Sequence, residues 1–191
     1  MAVSPALKAF LAAHRVKFKT HKHPVVYTAQ EIAAAQHVPG AQLAKCVLVS
    51  TNKGFWLAVL PATHLVDLPK LKRLLKLSKA ALASEADIRR VFPDVEVGAM
   101  SPFGNLYQVP VLVDEALTHC SDIVCNAGTH AETLSLPYRD FEELVKPRVV
   151  AFGLPAGGRK ATSKLAKAKP RRPAPKQPAR RRAGSKHAAK R

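Results

Sequence analysis

The chain has 191 residues, 47% of them hydrophobic, and a formal net charge of +18 with three cysteines. That is room for one core-bearing domain plus an appendage, with no apolar run near the roughly 18–20 residues needed to span a bilayer. The N-terminus, Met1-Ala2-Val3-Ser4-Pro5, lacks a basic region followed by an apolar one, so no secretory signal is read and the cytoplasm is the expected compartment. Cys46, Cys120 and Cys125 are too few and too irregular for a disulfide framework or a zinc site, and are read as packed thiols.

The charge is uneven. From Arg159 to Arg191 there are fourteen Lys and Arg and no acid, which leaves +4 of the total +18 for the rest. A basic, Pro- and Ala-rich run with few large apolar residues cannot bury enough surface to offset its chain entropy, so residues 153–191 are expected to be disordered. Such a segment attracts a polyanion, nucleic acid first, in a salt-dependent way. A membrane partner is not expected, since no amphipathic helix accompanies the charge.

Leu7, Phe10 and Leu11 recur at helical spacing and predict an opening helix between Pro5 and His14. Val16-Lys17-Phe18 alternates like a strand, and Thr20 to Pro24 is extended or turned because a residue before proline avoids the α region. Thr28-Ala29-Gln30-Glu31 fits a capping box and starts a helix reaching about His37. Cys46 to Val49 and Phe55 to Leu60 flank the turn Thr51-Asn52-Lys53-Gly54 and predict a hairpin. Asp67-Leu68-Pro69 caps a helix with Leu68, Leu71, Leu74 and Leu75 inward and Lys70, Lys72, Arg73 and Lys76 outward. Ser84 caps another helix, which Pro93 closes. Leu106 to Val113, interrupted by Pro110, Ile123 to Cys125 and Thr133 to Leu136 read as later strands, and Pro137 opens a closing helix to about Val145. The fold class is α+β: a single domain over residues 1–152, with a mixed sheet covered by helices.

Three stretches stand out for chemistry. Gly98-Ala99-Met100-Ser101-Pro102, continued by Phe103-Gly104, is a shaped turn between apolar runs, where glycine permits close backbone approach and proline fixes φ. Lys45 ends Gly40-Ala41-Gln42-Leu43-Ala44-Lys45 at a helix-to-strand junction, where its compact charge would suit a carbonyl oxygen or phosphate. Asn126-Ala127-Gly128-Thr129-His130 ends at a strand terminus with an imidazole that is either structural or a base. In this order and spacing the sequence resembles the YbaK/EbsC family, editing domains related to the insertion domain of bacterial prolyl-tRNA synthetase, from about Ala6 to Val149.

The resemblance implies the same α+β architecture and a trans-acting aminoacyl-tRNA deacylase. The implied reaction is hydrolysis of the ester on mischarged tRNA, typically tRNA for proline carrying alanine, cysteine, serine or threonine. It implies Lys45 and His130 as catalytic residues. The substrate-binding set it implies is the turn Gly98, Ala99, Met100, Ser101, Pro102, Phe103 and Gly104, with Tyr27 and Thr28 beside it. Cysteine at 46 replaces a more usual threonine, but along a strand it faces away from Lys45. Implied partners are tRNA and an aminoacyl-tRNA synthetase, with no cofactor and no metal. The alternative is a catalytically inactive nucleic-acid-binding or regulatory module that works through the basic tail, because fold alone does not guarantee activity.

Overall fold

The computed structural model describes residues 4–156; the expected disordered tail lies outside the described residues from 157 onward. Helix α1 (Pro5–Ala13) begins with a proline in its first turn, where the missing N–H costs nothing. Strand β1 (Lys19–Lys22) follows, then α2 (Ala29–Ala35), which starts on the full capping box of Thr28 and Glu31. The long hairpin β2 (Leu43–Thr51) and β3 (Gly54–Pro61) leads through β4 (His64–Val66) to α3 (Leu68–Leu74), capped by the Asp67 carboxylate on the Lys70 N–H at 3.0 Å. Next come β5 (Ala80–Leu82) and α4 (Glu85–Val91), the latter on a second capping box of Ser84 and Asp87. A 3₁₀ turn (Gly104–Tyr107), β6 (Val111–Asp114), a second 3₁₀ turn (Glu115–His119), β7 (Asp122–Thr129) and β8 (Glu132–Pro137) precede α5 (Tyr138–Val145). The described chain ends with β9 (Arg148–Val150) and β10 (Gly153–Pro155).

The main sheet is mixed and runs β1-β8-β7-β2-β3-β6-β9, with β5 paired to the far end of β2. β2 lies parallel to β7, and β3 and β9 both lie parallel to β6. Alternation along β2 sorts its two faces. Ala44, Cys46 and Leu48 join the large cluster holding Leu7 and Leu11 of α1, Ile88 of α4 and Phe141 of α5. Leu43 points the other way, to Ile32 and Ala33 of α2, and Val47 and Val49 point to Leu71 and Leu75 of α3. The sheet is therefore covered on one face by α1, α4 and α5 and on the other by α2 and α3. None of the described helices is long and apolar enough to cross a membrane.

Three expectations need correction, and four short strands go unpredicted. Val16 to Phe18 is not a strand; the edge strand starts at Lys19, where pairing with Ser135 of β8 begins. Leu106 to Val113 divides, because Gln108 takes a left-handed φ of 56° and Pro110 brings no N–H, so only Val111 onward joins the ladder. The strands β4, β5, β9 and β10 have three residues each, too short for alternation to show. The body also does not stop at 152. Phe152 is fully buried, and β10 pairs with β4, which carries order through Ala156.

Asp114 fastens that last segment. Its buried carboxylate accepts the N–H groups of Phe152 at 2.8 Å, Gly153 at 2.5 Å and Ala116 at 3.1 Å. Asp114→Ala would leave those donors without their acceptor, a loss of about 2 kcal/mol. Urea unfolding should show a lower midpoint at unchanged slope; a change below about 0.5 kcal/mol would remove Asp114 as the fastening.

Candidate functional site

Lys45 lies on the α2/α3 face of the sheet, because its neighbours Ala44 and Cys46 both pack on the other face. It is half-buried, and burial lowers the pKa of its ammonium. Its Nζ donates a long 3.4 Å bond to the Ala62 carbonyl, an oxygen that also accepts from Gln30 Nε2 of α2 at 3.2 Å. Cys46 faces the opposite core, where burial pushes its thiol pKa up, away from the thiolate a nucleophile would need.

The parallel register of β2 and β7 ends with Ala44 beside Cys125, and Lys45 and Asn126 are the residues that follow on the two strands. Asn126 in turn is opposite Thr133 of β8, and Thr133 opposite His21 of β1. His21, Thr133 and Asn126 thus form a cross-strand row on β1, β8 and β7, and Lys45 of β2 lies on the same face of the sheet. The Asn126 amide donates to the Gly98 carbonyl at 3.4 Å, which joins the glycine turn to this row. Asn126 Oδ1 and Thr133 Oγ1 are buried and have no hydrogen-bond partner among the described residues. Sequence reasoning singles out neither as a site residue. The available signal is an amide interrupting the apolar run Ile123-Val124-Cys125.

The glycine turn is held by a bulge. Between Asn126 and Thr129 the β7/β8 register shifts, and Gly128 takes a φ of +105°. Its carbonyl accepts from Glu96 N–H at 3.0 Å and its N–H donates to the Ala99 carbonyl at 3.1 Å. Ala99 N–H closes a four-residue turn onto Glu96 at 2.9 Å, with Gly98 in its third position at φ +94°, as a type II turn requires.

His130 sits in the β7/β8 connection against this turn. Its backbone N–H donates to Glu96 Oε2 at 2.9 Å, and its Nε2 lies 2.9 Å from the Val97 carbonyl, an acceptor, so the proton sits on Nε2. Nδ1 is the remaining ring nitrogen, buried and without a hydrogen-bond partner among the described residues. The ring of exposed Tyr27 covers it, centroids 4.8 Å apart. Tyr27, Arg89, Glu96, Val97, Thr129 and His130 line an open cleft of about 710 Å³, and Lys45 is not part of that lining.

The sequence-derived set therefore divides. Gly98, His130 and Tyr27 are brought together by direct packing and Gly98 is bonded to Asn126, while Lys45 shares the Asn126 face of the sheet without lining their cleft. Thr28 serves as the cap of α2. Ala99, Ser101 and Pro102 are buried. Met100 and Phe103 pack in the core of the opposite face, Phe103 edge-on to Phe10 and Phe141. Gly104 is pressed against Val109, Val111 and Leu57 there. The expectation that the whole 98–104 stretch lines one pocket is corrected for these last three: an apolar run past the turn is drawn into the core.

The model of the aminoacyl-tRNA editing domain family matches residues 23–144, a span that holds α2, Lys45, the glycine turn, Asn126 and His130. This chain belongs to that family. Among curated relatives of this editing domain, the prolyl-tRNA editing protein ProX of Acetoanaerobium sticklandii is 26% identical over 152 residues, covering 76% of this chain and 92% of that protein. The proline--tRNA ligase of Thiobacillus denitrificans is 31% identical over 106 residues, 55% of this chain. The editing domain matches 18% of that ligase and 21% of the one from Xylella fastidiosa, so it spans about a fifth of either. A solved structure described as a trans-editing enzyme for prolyl tRNA synthetase superposes with a TM-score of 0.70 at 21% identity, covering 80% of this chain and 99% of its own. A hypothetical protein gives a TM-score of 0.71 at 18% identity, with 78% and 99% covered. At these identities the superpositions establish the shared fold.

Proposed function

We propose that this editing domain is a trans-acting aminoacyl-tRNA deacylase that hydrolyses the ester of tRNA, chiefly tRNA for proline, mischarged with a small amino acid. The observation that carries the reading is the sheet face on which Lys45 follows the paired Ala44 of β2 and Asn126, itself bonded to the Gly98 carbonyl of the turn, follows the paired Cys125 of β7. The near full-length likeness to ProX supports the substrate class.

An aminoacyl ester is already activated, so the site must position it and stabilise the oxyanion. In this reading the Lys45 ammonium stabilises charge developing on the ester carbonyl oxygen. The free Asn126 Oδ1 accepts from the substrate's α-ammonium, and the rigid Gly98 turn bounds the acyl pocket. Water, polarised by the neighbouring ribose hydroxyl, attacks the carbonyl carbon, the ester C–O bond breaks, the amino acid leaves as its free acid and the ribose oxygen takes up a proton. His130 contributes at Nδ1, the nitrogen not committed to Val97.

The test is a deacylation panel. The full chain is mixed with tRNA for proline charged with alanine, cysteine, serine, threonine or proline. Loss of at least one of the first four well above the buffer rate, with prolyl-tRNA spared, is the expected result. Hydrolysis of none of them overturns the reading, and retained tRNA binding alongside would mark an inactive binding module.

A further inference from the structure

We infer that the outward side of α3 and the loop following it form the surface that holds the phosphate backbone of the tRNA beside the ester site, an inference that rests on the deacylase reading. Lys70, Lys72, Arg73, Lys76 and Lys79 lie within ten residues, and no acid occurs from Leu68 to Ser84. All but Lys70 are exposed. On the helix, Lys72 and Arg73 face away from Leu71 and Leu75, the buried side.

The absence of ion pairing here distinguishes α3 from α4 and α5. On α4, Arg89 pairs with Glu85 at 3.3 Å and Arg90 with Asp87 at 2.9 Å; on α5, Arg139 pairs with Glu143 at 3.0 Å. No ion pair among the described residues involves α3 or its loop. Its one nearby acid, Asp67, is engaged as the helix cap. The loop is also held in place: Asn52 Oδ1 accepts from the N–H groups of Ser78 at 3.0 Å and Lys79 at 3.2 Å, which ties it to the β2/β3 turn carrying exposed Lys53. The result is an extended, fixed array of unneutralised cations.

Its location gives it a role. The inward leucines of α3 pack on Leu60, the direct cross-strand partner of Lys45, and on Val47, two residues along β2 from Lys45 on the same face. The cations thus ride on the layer adjoining the proposed ester site. Separated surface charges without a buried donor or concave cage suit a polyanion held by charge rather than a small anion held by directed bonds. Leu74 is the one large apolar residue exposed on α3, too little for insertion into a lipid surface.

The experiment compares the full chain with its Lys72→Gln/Arg73→Gln/Lys76→Gln variant and with Arg139→Gln, which removes an ion-paired cation on α5. Affinity for uncharged tRNA is measured across salt concentrations, and hydrolysis of alanyl-tRNA is compared with that of the alanyl ester of adenosine, which has no phosphate backbone. Each phosphate that a variant leaves unneutralised lowers the log-log salt slope by about 0.7–0.9, so the triple variant should show a slope about two units shallower and Arg139→Gln almost no change. KM for alanyl-tRNA should rise about tenfold or more, while the adenosine ester is cleaved at the parent rate and the melting temperature is unchanged. An unchanged slope and KM overturn the inference, as does an equal loss on both substrates. Loss of binding to phosphatidylserine vesicles with an unaltered tRNA slope would also overturn it and assign the patch to lipid. If the parent cleaves neither ester, the deacylase reading fails while the salt slope still decides whether the patch binds RNA.

Discussion

Lys45→Ala is expected to slow deacylation about 10²–10³-fold while leaving the domain folded. The size follows from removing one donor aimed at a developing oxyanion in a partly desolvated site. Folding should tolerate the change because Lys45 makes a single long bond, to the Ala62 carbonyl, and Gln30 still serves that oxygen after the lysine is gone. Burial disfavours the ammonium in the fold, lowering its pKa from the ordinary 10.5, so between the folded and unfolded values the unfolded chain binds more protons. Stability from this group therefore rises with pH across that window, and the rise should be missing in the alanine variant. Single-turnover rates with saturating enzyme separate chemistry from binding. A variant within about threefold of the parent would take Lys45 out of the mechanism.

Gly98→Val should cost about 3 kcal/mol of stability and at least tenfold in deacylation. At φ +94° a β-branched residue is a backbone outlier, and holding such strain costs about 1–3 kcal/mol. An added Cβ would also stand 3.3 Å from His130 Cε1 and 3.7 Å from Nε2, in the path of the ring that donates to the Val97 carbonyl. The branch makes that crowding worse, so backbone strain and imidazole displacement add. Gly98→Ala should fall between the two, since it carries the strain with the smaller side chain. Denaturant unfolding and deacylation on the same samples check this, and a valine variant as stable and active as the parent would mean the turn is not fixed by its glycine.

Local signals in the sequence are reliable where the physics is local. The Thr28/Glu31 box, the Asp67 cap with Pro69, and the glycine turn rest on groups a few residues apart, and each forms as its residues dictate. What escapes is non-local. The parallel pairing of Leu43 with Val124 and Ala44 with Cys125, which brings the strands of Lys45 and Asn126 together, joins residues about eighty positions apart, and no periodicity carries that register. The pairing of β10 with β4, on which the ordered end of the chain depends, is likewise set by tertiary contacts rather than propensity. Met100 and Phe103 show the converse error. Proximity in sequence to Gly98 suggests a shared pocket, yet burial of apolar surface carries them to the opposite face.

The same balance explains the division of labour around Asn126. An amide in the middle of an apolar strand is costly unless its groups are used, and here the nitrogen holds the turn while Oδ1 is left open. The strand thereby fixes both the shape of the turn and an unpartnered acceptor on the sheet face that carries the lysine. The tRNA surface inferred on α3 adds charge outside this small polar row without touching it.

The most direct test is an NMR titration of the full chain with amide-linked alanyl-adenosine, which keeps the shape of the aminoacyl end but resists hydrolysis. The account predicts that the backbone amides of Lys45, Gly98 and Asn126 shift together along one binding curve. Shifts confined to the far end of β3 around Trp56, with those three unmoved, would contradict it.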